Sequence, residues 1–157
     1  MQISNVPRKL VLFFLLLLIH WPAFAEVCKG SRVPKAELRR YDATARLSQR
    51  EAETALATHL PYGQPACPTL LPGREYILCY TAAHRTALWA AYTLRGEEVV
   101  HRARRDAFRS DPRLTADENA HCADYKGTGY ARGHTVPDAD MGRSTIAHRP
   151  IPTFCRT

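Results

Sequence analysis

The 157-residue sequence contains no Cys-x-x-Cys pair and no alternation of cysteine and histidine of zinc-finger type, which excludes a structural zinc site of that kind. It also lacks an apolar run of membrane-spanning length. The longest, residues 11–19, is far short of the roughly 20 residues that a transmembrane helix requires. There is no internal repeat and no low-complexity tract, and the length calls for no second domain. Acidic residues are the minority, 15 against 22 lysines and arginines, so the chain carries a formal charge of +7. That balance favours polyanions such as nucleic acid or anionic surfaces, although charge alone does not choose among them.

The short apolar run has its own explanation. Arg8 and Lys9 precede it and Ala23-Phe24-Ala25 follows it, which is the basic, apolar and small-residue order of a cleavable export signal. Cleavage after Ala25 makes Glu26 the first residue of a mature chain of 132 residues, enough for one core. The precursor is thus expected to comprise a signal peptide at 1–25 and a single folded domain at 26–157. Removing Arg8 and Lys9 and no acid lowers the charge from +7 to +5. The expected destination is the periplasm or the medium, with no lasting membrane association. All five cysteines, Cys28, Cys67, Cys79, Cys122 and Cys155, lie in the exported part, where disulfides are the default. An odd count leaves one thiol over. Cys155 is the expected remainder, and the other four can pair in three ways.

Residues 27–40 read as an irregular basic arm. Between 42 and 60 the apolar positions Ala45, Leu47, Ala52, Ala55, Leu56 and Leu60 recur near helical spacing, which predicts one amphipathic helix. Pro61, Gly63, Pro65, Pro68, Pro72 and Gly73 then predict a loop. Two strands are predicted at 75–81 and 87–94, paired as a hairpin across Ala83-His84-Arg85. Val99 and Val100 open a further candidate strand. Residues 109–112 read as loop, and Thr115-Ala116-Asp117-Glu118 has the spacing of a capping box at the start of a short helix.

Residues 124–141 follow neither period. This glycine-punctuated stretch holds His134 beside Arg132, with Gly133 between them. Imidazole suits proton transfer near neutrality, and guanidinium suits phosphate. A base and a phosphate clamp two positions apart fit phosphodiester hydrolysis if a metal neutralises the charge that builds on the scissile group. Read by itself, His134 fits an ordinary loop histidine better than a catalytic base.

The same residues resemble a known signature. Asp124-Tyr125, Gly127-Thr128-Gly129-Tyr130, Ala131-Arg132-Gly133-His134 and Pro137 to Asp140 are similar to the run of the DNA/RNA non-specific endonuclease family. Upstream, His59 to Pro65 resembles that family's opening loop, Tyr76 to Tyr80 and Trp89 to Tyr92 its paired strands, and Arg105 to Pro112 its basic segment. The resemblance implies an α+β fold, an antiparallel sheet with a ββα-metal nuclease core. It implies a hydrolase that cuts DNA and RNA without sequence preference, using one divalent cation, usually Mg²⁺. His134 would be the general base, Arg132 would fix the electrostatics of the site, and Arg105 would steady the phosphoryl group. Arg104 takes that place after a one-residue slip, and Arg109 joins Arg104 as an expected substrate contact.

Other readings of these residues stay open. Trp89, Tyr76, Tyr80 and Tyr92 fit a core or sheet face better than base-stacking platforms. Arg102, Arg104, Arg105, Arg109 and Arg113 form either a solvated basic face or a phosphate track. Asp138 and Asp140 suit turns better than metal ligation.

Two departures from the family pattern bear on activity. Position 131 is alanine where the pattern has aspartate, which removes a carboxylate that would orient the site. The family continues past the histidine into a helix carrying the asparagine that ligates the metal, whereas here no asparagine or glutamate follows Asn119. The expected metal ligand therefore has no counterpart, and the nuclease core is expected to be incomplete at the C-terminus, with His148 a remote substitute. The expectation is an impaired secreted endonuclease, or alternatively an inactive nucleic-acid-binding remnant. A third reading, a small disulfide-stapled cationic protein with another role, sits poorly with the ordered motifs.

Overall fold

The computed structural model describes residues 26–30, 33–99, 108–137 and 139–141. The expected signal segment, Arg102, Arg104, Arg105, Asp138, His148 and Cys155 lie outside them. None of the described helices is long and apolar enough to cross a membrane.

Two helices stand where the apolar spacing predicts one. Helix α1 spans Lys35–Ala45 and begins at Pro34, whose carbonyl accepts from the amides of Glu37 and Leu38. Proline suits that entry because its fixed φ is already close to helical. The helix buries Leu38 and Tyr41 against Val33 in a small apolar cluster, and the Tyr41 hydroxyl donates to the Glu37 carboxylate. Residues 27–40 are thus an irregular arm only as far as Pro34. Helix α2 spans Gln49–His59 and starts at Ser48. Ser48 and Glu51 form a reciprocal capping box: the Ser48 hydroxyl accepts from the Glu51 amide at 3.4 Å, and the Glu51 carboxylate accepts from the Ser48 amide at 2.9 Å. That cap gives α2 its own start and breaks the apolar stripe at Arg46 and Leu47.

The sheet has three antiparallel strands in the order β1 (Thr69–Pro72), β2 (Ile77–Thr81), β3 (Thr86–Ala91). The predicted hairpin is β2–β3, turning through residues 82–85, with Leu78 opposite Ala90 and Cys79 opposite Trp89. Arg85 takes a positive φ of 49° in that turn. β1 corrects the loop expected at 61–73. Its breakers are tolerated because it is an edge strand, with Pro72 at its last position opposite Ile77, where no further neighbour needs the missing amide. Every residue of β2 is buried, as a central strand covered on both faces must be.

Leu71, Tyr76, Leu78, Tyr80, Val136 and Met141 form the main apolar cluster, with Ala90, Tyr92 and Leu114 packed at its margin. Tyr76 and Tyr80 are therefore core residues, as their sequence context implies. Val136 and Met141 come from the glycine-punctuated stretch, so that stretch is pinned to the sheet on the chain side following His134. Two disulfides complete the framework, Cys28–Cys122 and Cys67–Cys79. They take the four cysteines other than Cys155 and fix one of the three pairings. The short helix expected at Thr115 is a single turn: the Asn119 amide donates to the Thr115 carbonyl, and the Glu118 carboxylate accepts from both the amide and the hydroxyl of Thr115.

Candidate active site

Residues 26–28 lie alongside 108–110. Val27 and Arg109 form an antiparallel bridge, the Cys28 amide donates to the Phe108 carbonyl at 2.9 Å, and the Ser110 amide donates to the Glu26 carbonyl at 2.9 Å. The Cys28–Cys122 bond ties this pair to the turn Cys122–Tyr125, and Cys28, Phe108 and Ala120 are buried together beside Cys122 and Tyr125. The Glu26 carboxylate accepts from the Cys122 amide and contacts the His121 ring, closing the same corner.

The signature folds onto this corner. After Tyr125 the chain reverses through Gly127 and Gly129, whose φ values of 73° and 79° lie in the left-handed region that favours glycine. Thr128 staples the reversal: its hydroxyl donates to the Tyr125 carbonyl and accepts from the Tyr130 amide. The chain then presents Arg132 and His134 to one ring. The His134 imidazole lies 5.0 Å from the Phe108 ring, tilted by 39°, and the Arg132 guanidinium lies 5.2 Å over the same ring. Phe108 is buried, so it is a fixed floor that sets imidazole and guanidinium side by side. His134 and Arg132 are each half-buried, open enough to meet a ligand.

A groove of about 870 Å³ opens beside Arg132 and Phe108, lined also by Lys29, Tyr125, Lys126 and Tyr130 among others, and His134 adjoins it through the Phe108 ring. Its chemistry is cationic and aromatic. Ala131 also lines it, at the position where the family pattern has a carboxylate.

The described arginines of the expected basic track are placed elsewhere. Arg109 is 3 % exposed, donates to the Asp42 carboxylate at 2.9 Å and lies 5.5 Å over the Tyr41 ring. It fastens α1 to the bridge and is not open to a phosphate, which corrects its assignment as a substrate contact. Burial raises the Asp42 carboxyl above its usual range, outweighing the Arg109 guanidinium beside it. Arg113 is likewise interior. It grips the Asp111 carboxylate with two nitrogens and donates to the Pro72 carbonyl at 2.9 Å. Burial works against its charge, yet Asp111 and Tyr76 together more than offset this, so its pKa is raised. Asp140 behaves as a turn residue: its amide donates to the Pro137 carbonyl, and its carboxylate accepts from the Tyr92 hydroxyl at 2.7 Å. That bond and partial burial raise the Tyr92 pKa.

His59, in the segment resembling the family's opening loop, ends α2. Its Nδ1 accepts from the Thr93 amide at 3.1 Å, which leaves Nε2 to donate to the Arg74 carbonyl at 3.0 Å. Lys29, Lys126, Phe108 and Tyr130 do not stand out from the sequence as site residues. The aromatic residue next to a basic run is the available signal for Phe108, whereas Lys29 reaches the groove only through a disulfide.

The sequence pattern of the DNA/RNA non-specific endonuclease family matches residues 55–149. The chain is 33 % identical over 105 residues to a protein named Nuclease from Nostoc sp., covering 60 % of this chain and 38 % of that protein. It is 38 % identical over 81 residues to mitochondrial endonuclease G of Homo sapiens, covering 50 % of this chain and 27 % of the relative. It is 29 % identical over 126 residues to the mitochondrial nuclease EXOG of Danio rerio, covering 75 % and 34 %. The match thus spans between about a quarter and two fifths of each relative's length. With three fifths of its residues inside the family match and its signature built around one aromatic floor, this chain belongs to the DNA/RNA non-specific endonuclease family.

Proposed function

We propose that the chain is exported and hydrolyses phosphodiester bonds of DNA and RNA without sequence preference, with a divalent cation such as Mg²⁺. The observation that carries this reading is the convergence of His134 and Arg132 on Phe108 beside a cationic groove. In it, His134 takes a proton from the attacking water and Arg132 offsets charge on the phosphate. Two disulfides support an oxidising destination.

The cation is implied by family membership, where it stabilises the leaving oxygen. Among the described residues no three of histidine, cysteine, aspartate and glutamate converge. The described residues that line the groove include no carboxylate. They do not make a cation site. Arg105, or Arg104 after a one-residue slip, remains the proposed phosphoryl contact, on family grounds alone.

Ala131 favours a second reading, a chain that holds nucleic acid and cuts it slowly or not at all. A digestion assay on plasmid and RNA, with Mg²⁺ and with EDTA, separates the two. Metal-dependent cleavage is expected, falling by about 10²–10⁴-fold in His134→Ala, the range for loss of a general base. Cleavage by His134→Ala at the unmodified rate would sink the catalytic assignment, and EDTA-insensitive cleavage would sink the metal requirement.

A further inference from the structure

Two cations of the groove lie outside the stretch from Tyr130 to His134. Lys29 follows Cys28, and Lys126 follows the turn that begins at Cys122, so one disulfide brings both to the same groove. Both are exposed, and among the described residues neither is paired with a carboxylate. The nearby acids are engaged elsewhere. Asp124 accepts from the His121 amide and pairs with Arg85 at 3.6 Å, and Glu26 serves His121 and Cys122. Two exposed lysines therefore line a cavity also lined by Arg132, Tyr125 and Tyr130, of which Tyr130 is 41 % exposed. Cations interleaved with exposed rings match a single strand, whose phosphates follow the charge and whose bases stack.

We propose that Lys29 and Lys126 form a phosphate subsite for the strand that flanks the scissile bond, with Tyr130 as a stacking platform for one of its bases. The Cys28–Cys122 bond sets the spacing of the two lysines, so the N-terminal segment is a wall of the substrate groove. This rests on the nucleic-acid reading of the groove. It adds a binding function to Lys29, which lies far from the signature in sequence, and to Lys126 and Tyr130 within the run, which had no assigned role.

The test is the salt dependence of binding of a short fluorescein-labelled oligothymidylate to the purified full chain, followed by anisotropy in EDTA. Removing one phosphate-binding cation should reduce the slope of log K against log salt by about 0.7 for a single strand. Lys29→Ala and Lys126→Ala should each show that reduction, and the double variant twice as much, while Lys29→Arg/Lys126→Arg keeps the original slope. Tyr130→Leu should weaken binding about tenfold at every salt concentration without changing the slope, as removal of one stacked base does. An unchanged slope in the double alanine variant, or no binding by the unmodified chain, overturns the subsite. Plasmid cleavage measured in parallel keeps the two readings apart. An unchanged slope with His134-dependent cleavage removes the subsite alone, whereas the expected slopes without cleavage remove the catalytic reading and leave the subsite standing.

Discussion

Replacing Asp111 by alanine tests whether Arg113 is part of the interior or part of a surface track. The two side chains are 4 % and 7 % exposed, and three nitrogen–oxygen contacts between 2.6 and 3.2 Å join them. In Asp111→Ala the guanidinium would stay buried with the Pro72 carbonyl and the Tyr76 side chain as neutral partners and no carboxylate bonded to it. Stripping one member from a buried pair costs about 3–5 kcal/mol, because the surviving charge is left without compensation. That is a large share of the roughly 5–15 kcal/mol by which domains are stable. With an m-value near 2 kcal/mol/M, about 4 kcal/mol lowers the urea midpoint by about 2 M. The assay is urea unfolding followed by tryptophan fluorescence with the disulfides intact. The double variant Asp111→Ala/Arg113→Met should recover most of the stability, since exchanging a whole buried pair for apolar groups is often neutral. A destabilisation below about 1 kcal/mol in the single variant, the size expected of an exposed pair, would refute the interior assignment.

Acid should weaken the fold through the helix caps. The backbone bond from Ser48, reinforced by the Arg74 side chain, holds the Glu51 carboxyl down from an ordinary 4.5 to about 2, and Thr115 lowers that of Glu118 in the same way. A carboxyl depressed by folding gives stability that is complete above its unfolded value and is lost as pH falls through its folded one. Urea midpoints should therefore drop between pH 4.5 and about 2, less steeply in Glu51→Gln, and equal slopes in the two proteins would count against the cap. Ala131→Asp should raise the plasmid cleavage rate by about tenfold or more, the usual worth of an orienting carboxylate, and an unchanged rate would show that position 131 does not limit activity.

The hairpin is legible in the sequence because Tyr76 to Thr81 and Ala87 to Tyr92 combine strand-forming residues with a polar turn, and local pairing needs little else. His134 and Arg132 are legible as a pair from the signature. The split between the helices is not: the apolar stripe runs across Arg46 and Leu47, and the signal that breaks it is a capping-box spacing at Ser48 and Glu51, the same spacing that marks Thr115 and Glu118. β1 is hidden by prolines that an edge strand tolerates, a tolerance visible only once β2 is in place. Arg109 and Arg113 suggest a surface track because charged side chains are rarely interior, and their partners Asp42 and Asp111 become meaningful only in three dimensions. Lys29 depends on a contact between distant parts of the chain, and no local pattern announces such a contact.

The two disulfides are nested, and this ordering has a consequence for how the molecule is assembled. Cys67 and Cys79 are 12 residues apart, whereas Cys28 and Cys122 are 94 apart. By the logarithmic growth of loop-closure entropy, bringing the outer pair together in an open chain costs about 2 kcal/mol more than the inner one. The inner ring, which braces the sheet, is therefore favoured to close first. The outer ring gains most once the sheet and the turn at Cys122 have formed, so the groove receives its covalent wall late, in a chain that is otherwise already built.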